Sequence, residues 1–155
     1  MALSIRTMIA MGAVMGLLTA CSSTPDEPKG PTPEEVRAEA QAAFKTGIPG
    51  VYEGVLPCAD CSGIRTAVYV RAKGTYTRVS HYEGREGSWE EAGVWHVDFA
   101  PDAKTTEGAT LVFEPILSDN PVWKALPEGN QMRLLDRDGK VIEGGLSSLY
   151  VLEKN

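Results

Sequence analysis

The chain has 155 residues, a formal net charge of −6 and 43% hydrophobic residues. That suffices for one buried core and leaves no room for a second domain. The acidic balance, with only 7% aromatic residues, argues against nucleic acid, which demands a basic stripe, and against docking on anionic lipid by charge. Solubility alone accounts for it.

Residues 1–20 read as a bacterial export signal. Arg6 gives a short positive start, and the apolar run from Met8 through Leu18 is too short to span a bilayer comfortably. It ends in Leu18-Thr19-Ala20-Cys21, which resembles a bacterial lipobox, where the cysteine thiol receives diacylglycerol. On this reading the mature chain starts at Cys21 with a net charge of −7, since Arg6 is the only charged residue removed. Two or three acyl chains make a stable membrane anchor where one alone is marginal. Ser22 follows the cysteine, a pattern that resembles lipoproteins sorted to the outer membrane, which would leave the domain facing the periplasm.

Residues 21–31 form a lipidated tether rich in Pro and Ser that cannot bury a core. A helix is expected over 32–47. Thr32 caps it, Pro33 suits the first helical position, and Glu35 completes a T-x-x-E capping box. Val36, Ala40, Ala43 and Phe44 would share its apolar face, and Gly47 ends it.

From Gly50 onward the pattern has period two. Strands are expected at Val51–Leu56, Ile64–Arg71, Thr75–Tyr82, Trp89–Phe99 and Thr110–Glu114. A short one follows at Val122–Leu126. Gln131–Leu135 would then pair with Lys140–Ile142 across Asp136-Arg137-Asp138-Gly139, and Leu149–Leu152 would close the chain. Seven or eight short antiparallel strands over residues 48–155 predict an all-β fold, a small barrel or sandwich. Tyr52, Val68, Tyr76, Trp95 and Phe113 are the expected core.

The densest chemistry is Cys58-Ala59-Asp60-Cys61. With Cys21 consumed by lipid, Cys58 and Cys61 remain as an even pair in an oxidising space. One reading is a structural disulfide pinning the first turn. A second is a redox or copper-responsive switch, since Cu(I) favours thiolate and copper promotes thiol oxidation. Its accessory ligands would be His81 and His96, neither at motif spacing. Met132 reads as core, and the other four methionines leave with the signal, which excludes a methionine-rich copper site. A third reading, a thiol–disulfide oxidoreductase, lacks the helix N-terminus that would stabilise a thiolate. Asp60 disfavours one by like charge, and Arg65 is the nearest cation along the chain. Glu90 and Glu91, adjacent on a strand, point to opposite faces and read as surface residues rather than a catalytic pair.

The run Tyr52-x-Gly54-x-Leu56-Pro57-Cys58-Ala59-Asp60-Cys61-x-Gly63-Ile64-x-Thr66 resembles the hallmark of the NlpE family of copper-resistance, envelope-stress lipoproteins. Gly74-Thr75-Tyr76, Gly93-x-Trp95, Leu135-Asp136-x-x-Gly139-Lys140-x-Ile142-Glu143-Gly144 and Tyr150-Val151-Leu152 extend the similarity over about residues 50–153. The resemblance implies a lipocalin-like N-terminal β-barrel carried on an outer-membrane anchor, non-enzymatic, with copper as the candidate metal and a stress-signalling kinase as candidate partner. Some members carry a further OB-like domain, expected to be absent here because the sequence ends after the last barrel strand. A lipocalin-like binder of a small apolar ligand and a Cu(I) carrier are the competing expectations.

Overall fold

The computed structural model describes residues 30–103, 105–116 and 119–155. The export signal, Cys21 and most of the tether lie outside them. Helix α1 (Pro33–Gly47) precedes eight strands: β1 (Gly50–Leu56), β2 (Ile64–Val70), β3 (Thr75–Tyr82), β4 (Trp89–Asp98), β5 (Thr110–Pro115), β6 (Trp123–Glu128), β7 (Gln131–Leu134) and β8 (Val151–Lys154). Each strand pairs antiparallel with the next, and β8 returns to β1, so the sheet is a closed barrel with no free edge.

Closure is narrowest at the β1–β8 seam, where Tyr52 faces Lys154 and Glu53 faces Glu153. Gly54 permits it. A Cβ there would stand 2.8 Å from the Val151 carbonyl oxygen and 2.9 Å from the Leu152 side chain. Gly93 has a similar duty on β4, where a Cβ would run into the Glu114 carbonyl and the Tyr76 ring. The Gly93-x-Trp95 pattern therefore seats Tyr76 against bare backbone and turns Trp95 inward.

Period-two alternation sends one face of every strand into the barrel. All five expected core residues are buried there, joined by Leu111, Ala125, Met132 and Leu152. An eight-stranded barrel is just wide enough to be filled by its own side chains, and these form one packed cluster inside it. Tyr76 packs edge-on to Phe113 at 5.1 Å, and Phe113 stacks on Trp123 at 3.8 Å.

Helix α1 starts as its cap predicts. The Thr32 hydroxyl accepts the Glu35 amide, and the Glu35 carboxylate accepts the Thr32 amide at 2.7 Å. Those bonds hold the Glu35 carboxyl below its ordinary range. The expected apolar face is only partly engaged. Val36 and Ala43 are exposed, while Arg37, Ala40, Gln41 and Phe44 are half-covered, and no residue of α1 is fully buried. The docking contact is Phe44, edge-on to Phe99 at 6.0 Å. One large apolar residue fixes the helix's rotation where small alanines cannot.

The closing segment also differs from expectation. β7 pairs with β8, and Lys140–Ile142 forms no strand, only an isolated Leu135–Val141 bridge. Asp136 explains this. Its Oδ1 accepts the amides of Asp138 and Lys140, so the turn is held by a side chain. Residues 147–149 form a 3-10 turn, and the last strand begins at Val151.

Candidate functional site

In an up-and-down barrel, alternate connections gather at one end. The β1–β2, β3–β4, β5–β6 and β7–β8 connections therefore share the end that carries the cysteines. The opposite end is where α1 leads into β1. There the Tyr52 hydroxyl donates to the Ile48 carbonyl at 2.6 Å and Lys154 Nζ donates to the Gly47 carbonyl at 2.6 Å.

Cys58 and Cys61 are bonded to each other, with Cα atoms 5.3 Å apart, and both are half-buried. The loop that carries them has no helix following it, since β2 begins at Ile64. Sγ of Cys58 lies 3.4 Å from Asp60 Oδ1, and Sγ of Cys61 lies 3.2 Å from the Gly63 carbonyl oxygen. The loop is tied to the β3–β4 connection, twenty residues away in sequence. Arg85 forms an ion pair with Asp60, and the Glu83 amide donates to the Gly63 carbonyl at 2.9 Å. Arg65, the nearest cation along the chain, instead meets Glu83 at 3.2 Å.

Among the described residues, Cys58, Asp60 and Cys61 form a group whose sulfur and carboxylate atoms lie within 4.8 Å of one another. A disulfide offers no thiolate, so this donor set suits a soft ion such as Cu(I) only when reduced. Neither histidine joins it. His81 Nδ1 is 2.9 Å from the Gly87 carbonyl. His96 lies on the outer face of β4, 3.3 Å from Asp98 and 3.4 Å from Glu114. Met132 is fully buried core.

Below the rim lies a cluster that sequence reading placed wrongly. Glu91 is not a surface residue: it is 2% exposed and points into the barrel. Its Oε1 accepts the Tyr76 hydroxyl at 2.8 Å and Trp123 Nε1 at 2.9 Å. Its Oε2 accepts Arg78 Nη2 at 3.1 Å and Asn120 Nδ2 at 2.9 Å. Four donors thus offset the desolvation of the carboxylate. Arg78 lies between two indoles, 5.1 Å from the Trp89 ring and 5.0 Å from the Trp123 ring. Its Nε is buried with no hydrogen-bond partner. Burial first, then the bond to Glu91, pushes the Tyr76 hydroxyl far above the ordinary tyrosine range. The sequence signal was parity: Glu91, Gly93, Trp95 and Val97 share one face of β4. Glu90, on the other face, is exposed.

Two clefts of about 470 Å³ each lie elsewhere. One separates the end of α1 from the β2–β3 turn, between Lys45, Lys73 and Trp95, and the other lies on the outer wall of β1–β3 beside Val55 and His81.

The NlpE N-terminal domain family model matches residues 52–145. Lipoprotein NlpE of Escherichia coli K12 is 34% identical over 117 residues, covering 74% of this chain and 44% of that protein, so the chain spans less than half the length of this relative. Among solved structures, a Shewanella oneidensis chain assigned as a lipoprotein is 36% identical with a TM-score of 0.54, covering 69% of this chain and 88% of that one. The Cpx pathway activator NlpE from Escherichia coli is 30% identical with a TM-score of 0.49, covering 63% of this chain and 47% of that one. The barrel, its bonded cysteine pair and the matched span together place the chain in the NlpE N-terminal domain family.

Proposed function

We propose that this chain is a non-enzymatic outer-membrane lipoprotein, anchored through Cys21 with its barrel facing the periplasm, that activates an envelope stress response and supports copper tolerance. The observation that carries the reading is the cysteine loop at the rim of an NlpE-family barrel. The solved Escherichia coli relative is described as an activator of the Cpx pathway. Compartment and anchor rest on the lipobox-like Leu18-Thr19-Ala20-Cys21.

The chemistry fits a sensor better than a catalyst. Among the described residues no helix follows the cysteine loop, since β2 begins at Ile64, so the loop lacks the helix dipole that stabilises a catalytic thiolate. Starting from the reduced pair, two Cu(II) ions each take one electron, the two thiols release two protons, and one S–S bond forms. The loop's state then reaches the β3–β4 connection through the Asp60–Arg85 pair and the Gly63–Glu83 hydrogen bond. The packed aromatic cluster of Tyr76, Phe113 and Trp123 inside the barrel counts against a lipocalin-like interior ligand.

The test is a Cpx-responsive reporter in Escherichia coli lacking its own NlpE, with the lipidated chain supplied at a controlled level. Reporter output should rise, and a Cys21→Ala variant should blunt the rise. A flat reporter, together with unchanged copper tolerance when the gene is deleted in its own host, would sink the reading. Direct copper binding is tested separately. The reduced protein should bind Cu(I), and a Cys58→Ser, Cys61→Ser double variant should not.

A further inference from the structure

We propose that the cysteine-bearing end of the barrel is a protein-docking surface whose partner presents a basic face; this rests on the signalling reading above and supplies its contact site. The two ends are finished differently. One is partly covered by α1 and the last strand, through Phe44 on Phe99 and the Tyr52 and Lys154 hydrogen bonds. The other has no such cover among the described residues. Of the eleven large apolar residues exposed among the described residues, seven stand at its strand ends and connections, including Tyr82, Trp89, Val122, Leu146 and Leu149. Such a concentration marks an interaction surface where scattered residues would not.

Its composition suits protein contact. Tyr82 and Trp89 are on the inward-facing side of their strands at the mouth, both partly exposed, with the Arg78 guanidinium held between Trp89 and Trp123. Tyr, Trp and Arg are the side chains that dominate interface energetics. Arg78 is pre-organised by its indole neighbours and by its ion pair with Glu91. Charge then selects the partner. The four connections at this end carry seven carboxylates against three cations. Connections that carry net negative charge beside exposed apolar side chains steer a basic surface toward this end and repel an acidic one. The disulfide loop belongs to the same rim through Asp60 and Arg85, so its redox state and the docking surface are physically continuous.

The experiment uses the lipidated full chain and the Cpx reporter. Val122→Lys and Leu146→Lys place cations at the rim, and Glu86→Lys with Glu143→Lys reverses charge there. Val36→Lys and Val94→Lys are controls on the helix and outer wall. Circular dichroism and the oxidation state of Cys58 and Cys61 certify folding of each variant. The rim variants should lower reporter output about tenfold, equivalent to 1.4 kcal/mol of binding, and the controls should leave it within about twofold. If wild type activates and rim and control variants behave alike, the docking surface is overturned while the signalling reading stands. If wild type does not activate, both fall. Purified protein supplies the remaining outcomes. Sedimentation with neutral phosphatidylcholine vesicles that is lost in Val122→Lys and Leu146→Lys, or a dimer dissolved by Val122→Lys, would assign this end to membrane or to self-association and overturn a protein partner.

Discussion

At the helix end of the barrel, side chains meet backbone and one aromatic ring: Tyr52 reaches the Ile48 carbonyl, Lys154 reaches the Gly47 carbonyl, Phe44 meets Phe99, and the cap is built from Thr32 and Glu35. At the cysteine end, the same task falls to side chains bonded to side chains. Asp60 meets Arg85, Glu91 gathers Tyr76, Arg78, Asn120 and Trp123, and a covalent bond pins one loop. The first end is partly covered, by apolar packing and backbone acceptors, and keeps a cleft beside Lys45, Lys73 and Trp95. The second keeps charge, sulfur and aromatic surface together at a rim. A closed barrel needs no help from its connections to hide sheet edges, so those at one end are free to carry recognition.

The largest expected effect is at Glu91. Glu91→Ala leaves the half-buried Arg78 without its counter-ion and strips acceptors from Tyr76 and Trp123. It should cost about 3–5 kcal/mol, the range for breaking a buried ion pair, read by urea denaturation. Pairing it with Arg78→Met should recover part of the loss. A cost below about 1 kcal/mol would make the network no stronger than a surface contact and erase the contrast between the ends.

Removing the disulfide comes next. Closing so short a loop stabilises the fold by about 2 kcal/mol at most, so a Cys58→Ser, Cys61→Ser variant should still fold cooperatively with a modestly lower denaturation midpoint. Complete unfolding would show that the staple is global rather than local.

Alkaline titration touches both ends at once. Burial raises the Tyr52 hydroxyl pKa, and burial with the Glu91 bond raises that of Tyr76. A tyrosine in the unfolded chain ionises near about 10. Between there and the raised folded values, the folded state keeps protons that the unfolded state has lost. Stability is therefore full below about pH 10 and falls above it, by about 1.4 kcal/mol per pH unit for each tyrosine. Tyr52→Phe and Tyr76→Phe should each flatten that limb, and an unchanged slope would refute the assignment.

The smallest effect is at the helix cap. Thr32→Ala should remove about 1 kcal/mol of helix stability, seen as fraying of α1 in amide exchange, with the cysteine end untouched. The Glu35 contribution carries the opposite pH sign to the tyrosines. Its lowered carboxyl pKa stabilises α1 above the ordinary glutamate range and ceases to do so as pH falls through the folded value.

What was legible in the sequence follows the same division. Period-two alternation located the first six strands, because each buries one face and leaves the other wet. The capping box was legible because its partners are three residues apart. Lys140–Ile142 was misread because an apolar alternation beside a turn looks like a hairpin, whereas Asp136 satisfies the backbone locally and frees β7 for β8. Glu91 was misread because a charged residue looks solvent-facing until its donors are known. Those donors come from β3, β6 and the β5–β6 connection, none of them adjacent in sequence. Parity along β4 already placed it inside. The Asp60–Arg85 pair had no such signal, since two exposed charges twenty-five residues apart meet only once the barrel is closed.

The most direct test of the local, rim-confined role of the disulfide is amide hydrogen exchange on the oxidised and the thiol-reduced protein. Reduction should speed exchange in residues 57–63 and 83–88 and leave α1, β1 and the helix end unchanged. Exchange that rises throughout the barrel, or nowhere at all, would contradict the account.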